Sequence, residues 1–195
     1  MDAVPDQAPP ARRRLAPEVR RRQIVMEAAR LISASGFNAV SLADIADACN
    51  IRKSSVLHHF PSMADLLAAV LDYRDELSHP ERQEPEHYES PEAANESFRA
   101  TVAHNQQQRE LVRLYVMLRA EALDPGHPAH DYFFERERKA LDGFKQVLHW
   151  KPRPELAASE MYSFWTGLEA LWVADHVVDM LEVWDAFAER FFTTR

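Results

Sequence analysis

One cysteine and four glycines are all that a chain of 195 residues contains of either type. The lone Cys49 excludes an intrachain disulfide, and a reducing compartment is the expected setting. So few glycines leave little material for tight hairpins, and the abundance of alanine and leucine favours helix. No stretch approaches the roughly 20 consecutive apolar residues of a membrane span. The opening run MDAVPDQAPPARRR has no apolar segment of the kind a secretory signal needs. A cytoplasmic protein without membrane contact is expected. Also missing are a glycine-rich phosphate loop, a nucleophile elbow and a metalloprotease helix. Neither an enzymatic activity nor a cofactor is expected.

What is present fits a folded, polarised molecule. Apolar residues make up 46 % of the chain, enough for a core that needs no staples. The net charge is −8, which by its sum speaks against nucleic acid. Its distribution speaks differently. Nine of the 23 Lys/Arg but only six of the 31 acids lie in the first 60 residues. A basic end on an acidic body suits a protein that docks one end on phosphate while the rest repels it. Chance clustering of arginines in a tail is the plainer alternative.

The chain reads as all-α, with about nine helices and no strand. Residues 1–15 are rich in Pro, Ala and Arg and lack periodicity, as expected of a disordered basic arm. Pro17 suits the first turn of a helix, and Ile24, Ala28, Leu31 and Ile32 form one apolar stripe that Gly36 ends. Ser41 and Asp44 read as a capping box for a short second helix to Ala48. Asn50 tolerates the left-handed conformation of a sharp turn. A third helix is expected over Arg52–His59, with Val56 and Phe60 inward, and Ser62 caps a fourth with Leu66, Leu67, Val70 and Leu71 buried. Residues 78–90 are a loop. Further helices are expected over 91–108, 110–123, 130–150, 155–180 and 182–192, with a turn at DPGHP (124–128) and a break at KPRP (151–154).

Two helices joined by a tight turn, the second short and bearing Arg, Lys, Ser and His, are the pattern of a helix-turn-helix. A helix fits the major groove, where its first residues reach base edges. Arg52 or Lys53 could pair with guanine. Ser54, Ser55 and His58 could reach phosphate or a base edge, and helix N-termini could hold phosphates. A helical hairpin that only packs under the body is the alternative.

The segment RRQIVMEAARLISASGFNAVSLADIADACNIRKSSVLHHFPSMADLLAAVL resembles the N-terminal domain of the TetR family of bacterial transcriptional regulators. The carriers are the Ile24–Ile32 stripe ending in Gly36-Phe37, VSLADIADAC, and VLHHFPS followed by DLL, over about residues 20–71. The resemblance implies a DNA-binding domain at 16–62, a helical effector-binding and dimerisation domain at 63–195, a two-fold homodimer, and a double-stranded DNA operator released by a small molecule. The implied DNA-binding residues are Arg20, Ser41, Arg52, Lys53, Ser54, Ser55, Leu57, His58 and His59. The chain departs from the family at Asn50, where Gly is usual, at Leu57, where Tyr is common, and at Met63, where Lys is common. Losing that hydroxyl and charge is expected to lower the salt slope of DNA binding by about one unit.

In the body, Phe98, His104, Tyr115, Met117, Leu118, Phe133, Met161, Trp165, Leu168, Glu169 and Trp172 are candidates to line a pocket for a bulky apolar or aromatic effector. Taken singly, each is as well read as core. His104 and Glu169 are the candidates for polar contacts, since such residues are rarely buried whole. Leu171, Val178, Leu181, Trp184, Phe187 and Phe191 share a face that two copies could bury as a four-helix bundle. The same face could instead pack on the chain's own body. His127 and His130 of HPAH have a spacing compatible with a metal, but without a third ligand they read as surface histidines of a turn. His176, with Asp175 and Asp179, is an ordinary product of helical spacing. A repressor released from a palindromic operator is one reading. A dimeric small-molecule-binding protein of the same fold with weak or ligand-dependent DNA binding is the other.

Overall fold

The computed structural model describes residues 15–78, 88–174 and 177–193, and in 75–78 the backbone alone. The basic arm, most of the 78–90 loop, and the Asp175–His176 pair lie outside the described residues. Those described form nine helices and no strand: α1 (Pro17–Ser35), α2 (Leu42–Ala48), α3 (Lys53–His59), α4 (Met63–Ser78), α5 (Pro91–Gln106), α6 (Arg109–Glu121), α7 (His130–Val147), α8 (Pro154–Ala174) and α9 (Met180–Phe191). Among them no helix is long and apolar enough to cross a membrane.

The first four helices are set by local chemistry. Pro17 opens α1, and Gly36 closes it at φ 86°, its N–H donating to the Ile32 carbonyl. The α2 capping box forms on both sides: the Asp44 N–H donates to Ser41 Oγ at 3.3 Å, and the Ser41 N–H donates to Asp44 Oδ2 at 2.8 Å. Asn50, at φ 52°, is the one non-glycine residue with positive φ among those described. Around it the Asn50 N–H donates to the Asp47 carbonyl and the Ile51 N–H to that of Ala46, the paired bonds of a Schellman closure. Ser62 Oγ caps α4 through the Asp65 N–H at 3.1 Å.

Two cores follow. One joins α1–α4 to α6 and the start of α7: Ile24, Ile32, Ile45, Val56, Leu66 and Leu67 pack with Leu114, Leu118 and Phe133. The other joins α5, α8 and α9 around Phe98, Met161 and Trp184. The first core therefore runs from the N-terminal helices into the body. A second tie sits at the turns. Glu121 Oε2 accepts from the Phe37 N–H at 3.0 Å and lies 3.8 Å from His127 Nε2, while the His127 and Phe37 rings meet edge-on at 4.9 Å. His127 is buried, not a surface residue, because this tie covers it. His130 turns inward too, its Nδ1 2.8 Å from the Ala122 carbonyl.

The longer helices end earlier than the apolar pattern suggests. α7 stops at Val147 instead of residue 150. α8 stops at Ala174 instead of 180, and Asp179 starts α9 by accepting from the Leu181 and Glu182 N–H groups at 2.9 and 3.3 Å.

Candidate DNA-binding face and effector cavity

The turn between α2 and α3 fixes which side chains face out. Val56 and Phe60 are drawn into the core, so Arg52, Lys53, Ser54, Leu57 and His58 are exposed and Ser55 and His59 half-exposed. Ser41 is exposed at the start of α2. Arg20 is half-buried on α1, bonded to Gln23 at 2.6 Å, close enough to disfavour protonation of His59. Arg21, not among the expected contacts, stands 4.9 Å over the Phe60 ring. Its signal in the sequence is its place in the Arg20–Arg22 run, but the residue that meets the end of α3 depends on how α1 packs. Burial, then His58 and the two arginines, hold the His59 pKa below its ordinary value, so its ring is neutral at pH 7. The face combines two cations, hydroxyls, imidazoles and one exposed apolar side chain, Leu57. That mix can meet phosphates, base edges and a thymine methyl. Met63 is half-buried and packs against the first core instead of facing out.

The body holds a cavity of about 310 Å³ between α4, α5, α6, α7 and α8. Four of the expected lining residues meet there: Phe98, Tyr115, Trp165 and Glu169. The others lie elsewhere. Leu118 and Phe133 belong to the first core, and Met161, Leu168 and Trp172 to the second. Trp172 is covered by the Arg109 guanidinium 4.8 Å above its ring. His104 meets Gln108 one turn on, and Met117 lies beside Gly36.

The polar side of the wall departs most from expectation. Arg74, buried on α4, and Arg136 on α7 approach Tyr115, 4.2 and 5.4 Å from the ring centre, and Arg136 Nε donates to the Tyr115 hydroxyl at 3.3 Å. Lys139, Thr101, Asn105, Tyr162 and Thr166 add further polar groups, and Ala140, Gly143 and Phe144 complete the α7 side. Glu169 is 3 % exposed, and its Oε1 accepts from Asn105 Nδ2 and Trp165 Nε1, both at 3.0 Å. Burial pushes its pKa up, against the pull of Arg74 and these two bonds. Burial likewise pushes Tyr162 to about 12, so it stays a neutral phenol. Residues 136, 139, 140 and 143 form a helical stripe, which is the signal that could have found this wall. An adjoining recess of about 230 Å³ shares Tyr115, Thr166 and Glu169 and continues along Val116, Ala120 and Ala170.

The candidate dimer residues divide. Leu171 is 51 % exposed, and Val178 and Leu181 are half-buried. Trp184, Phe187 and Phe191 are buried within the chain. Trp184 Nε1 donates to Asn95 at 3.1 Å, and Phe187 stacks on Phe164 at 3.7 Å. Among the described residues no group of three or more His, Cys, Asp or Glu could hold a metal ion.

Residues 24–70 match the family model of bacterial regulatory proteins, tetR family. Comparison with curated proteins finds no match. Solved structures of similar fold include a TetR-family transcriptional regulator from Agrobacterium tumefaciens, 20 % identical, covering 91 % of this chain and 97 % of that one, TM-score 0.69. AibR in complex with isovaleryl coenzyme A and operator DNA is 22 % identical over 89 % and 98 %, TM-score 0.67. NalD, the secondary repressor of the MexAB-OprM multidrug efflux pump in Pseudomonas aeruginosa, is 17 % identical over 91 % and 96 %, TM-score 0.67. The fold is that of the TetR regulators along most of the chain, and the N-terminal helix-turn-helix is the part that the family model matches.

Proposed function

We propose that the protein is a ligand-responsive transcriptional regulator, a repressor that leaves a palindromic operator when a small molecule fills the body cavity. The observation that carries this reading is the exposed Arg52–His59 face on a helix whose turn is closed by Asn50. The cavity supports the second half. α6 contributes Tyr115 to its wall, and further along the same helix Glu121 holds the Phe37 N–H at the end of α1. A ligand that displaces Tyr115 therefore acts on the helix that ties the body to the DNA-binding domain. AibR, with its acyl thioester and operator DNA, is a protein of this fold that binds both kinds of partner. Two copies joined through α8 and α9, where Leu171 on α8 and Val177 between the two helices are exposed, would present two α3 helices to half-sites about 34 Å apart. On this reading the protein works in the cytoplasm and catalyses no reaction.

The second reading is a dimeric small-molecule-binding protein with weak or ligand-dependent DNA binding. Leu57 and Met63 favour it: one places an apolar side chain on the contact face, and the other packs into the core where a cation would reach phosphate.

Selection of bound fragments from a genomic DNA library by the purified protein, at low and at moderate salt, separates the two. A palindromic site that survives moderate salt is the expected result. Recovery of random, salt-sensitive fragments alone would overturn the repressor reading in favour of the second.

A further inference from the structure

The outward side of α3 is a stripe. Val56 and Phe60 are buried, so Lys53, Ser54, Leu57 and His58, at i, i+1, i+4 and i+5, stand exposed together. Three of these four side chains form hydrogen bonds readily. Leu57 forms none, yet it is 40 % exposed. Among the described residues of α2 and α3 it is the only large apolar side chain left open. Leu42, Ile45, Ile51 and Val56, its apolar neighbours along the chain, all pack into or against the first core. The position of Leu57 on the helix, one turn after Lys53, is what keeps it outside. Its surroundings favour an anion. Arg52 and Lys53 are exposed, and residues 48–64 contain no acid. Asp44 and Asp65, on the flanking helices, accept from the cap hydroxyls of Ser41 and Ser62, both at 2.6 Å. An uncovered leucine beside cations suits a polyanion that carries apolar groups within reach. Duplex DNA is one: thymine presents its C5-methyl in the major groove, where the other base edges present donors and acceptors. Against those edges Leu57 would displace water from polar groups and offer no bond in return, which is unfavourable. Against thymine it buries methyl on methyl.

We propose that Leu57 is a specificity-determining residue of the DNA contact, reading the C5-methyl of a thymine at one position in each operator half-site. The proposal rests on the regulator reading and names the base that one side chain demands. Lys53 lies one turn back on the same stripe, about 5.4 Å along the helix axis, against about 3.4 Å per base step. With α3 along the groove, the thymine falls one or two steps from the base or phosphate that Lys53 meets. An apolar side chain on this face thus exchanges a phosphate contact, which carries no sequence information, for a base contact that does.

The test takes the palindromic site selected by the full chain and removes single methyl groups from it. Deoxyuridine in place of thymine deletes the C5-methyl and keeps the base pair and its O4 acceptor. Scanned through a half-site, the replacement is expected to weaken binding about fourfold at one position, the worth of one buried methyl, and about fifteenfold when made in both half-sites. In Leu57→Ala the same replacement should cost less than about twofold. Selection repeated with Leu57→Ala should lose the thymine at that position alone. Leu57→Met, still apolar, should keep it, and Leu57→Gln, of similar length but polar, should lose it. Melting temperatures confirm that each variant is folded, as expected for a side chain on the exposed stripe. A half-site without thymine one or two steps from the position that Lys53→Ala disturbs overturns the proposal and leaves the regulator reading standing. So does a deoxyuridine effect that is absent, or equal in wild type and Leu57→Ala, and so does a Leu57→Ala that weakens all sequences alike. Failure of the full chain to select any palindrome overturns the regulator reading and the proposal together.

Discussion

The DNA-binding face and the cavity are built in opposite ways. Most of the first lies within eight consecutive residues, Arg52–His59, on one two-turn helix and its N-cap, with Val56 turned into the core. The wall of the second draws, among the described residues, on fourteen from five helices, spread from Arg74 to Glu169. A face made of neighbours tolerates exposure and depends on caps and a turn. A cavity made of strangers depends on packing, so its chemistry is set by whichever side chains the helices turn inward.

Five substitutions sharpen this contrast. The largest effect is expected from Trp184→Ala. Trp184 is fully buried among Phe98, Phe164, Trp165 and Phe187, and the change should cost about 3–5 kcal/mol in a denaturant melt. A chain of unchanged stability that no longer dimerises would move Trp184 from the core to the interface. Next, Lys53→Ala should weaken operator binding by about 1–3 kcal/mol at fixed salt without altering the melting temperature, because Lys53 is exposed. His58→Ala should act in the same direction. Loss of folding in either would make α3 a structural element. Gly36→Ala tests the joint between the regions. Its φ is 86°, and a Cβ would stand 2.6 Å from Glu121 Oε1, the carboxylate that holds Phe37. A loss of about 1–2 kcal/mol is expected, and effector response should weaken with it; a stability loss that leaves the response intact would remove this joint from signalling. Smallest is Ser41→Ala, expected to cost about 1 kcal/mol by breaking the α2 cap. The bond from Ser41 holds the Asp44 carboxyl below the usual carboxylate range. The part of the stabilisation that comes from the Ser41 hydroxyl on the Asp44 carboxylate is present above the ordinary carboxylate pKa and fades as pH falls through the lowered one, so the gap between wild type and variant should narrow in acid, leaving the cap bond to the Asp44 N–H.

The head was largely legible because its signals are local. Ser41 and Asp44, Asn50 and Ser62 each act within a few residues, and each does in the structure what its spacing suggests. The α8–α9 boundary was missed: Asp179 and Glu182 have the spacing of a cap, but the continuing apolar pattern hid that signal. His127 reads as a surface residue of a turn, yet Phe37 and Glu121, from distant parts of the chain, close over it. Trp184, Phe187 and Phe191 do form one apolar face, but periodicity cannot tell a face that meets the chain's own α5 from one that meets a second copy.

By itself the sequence determined the helical class, the helix-turn-helix and the exposed cluster on α3, because period, caps and turn chemistry are properties of neighbouring residues. The tertiary structure alone decided that Arg74, Arg136 and Lys139 face a common space. On an isolated helix a charge reads as solvated. Only the docking of α4 and α7 against α6 and α8 turns these three toward one cavity.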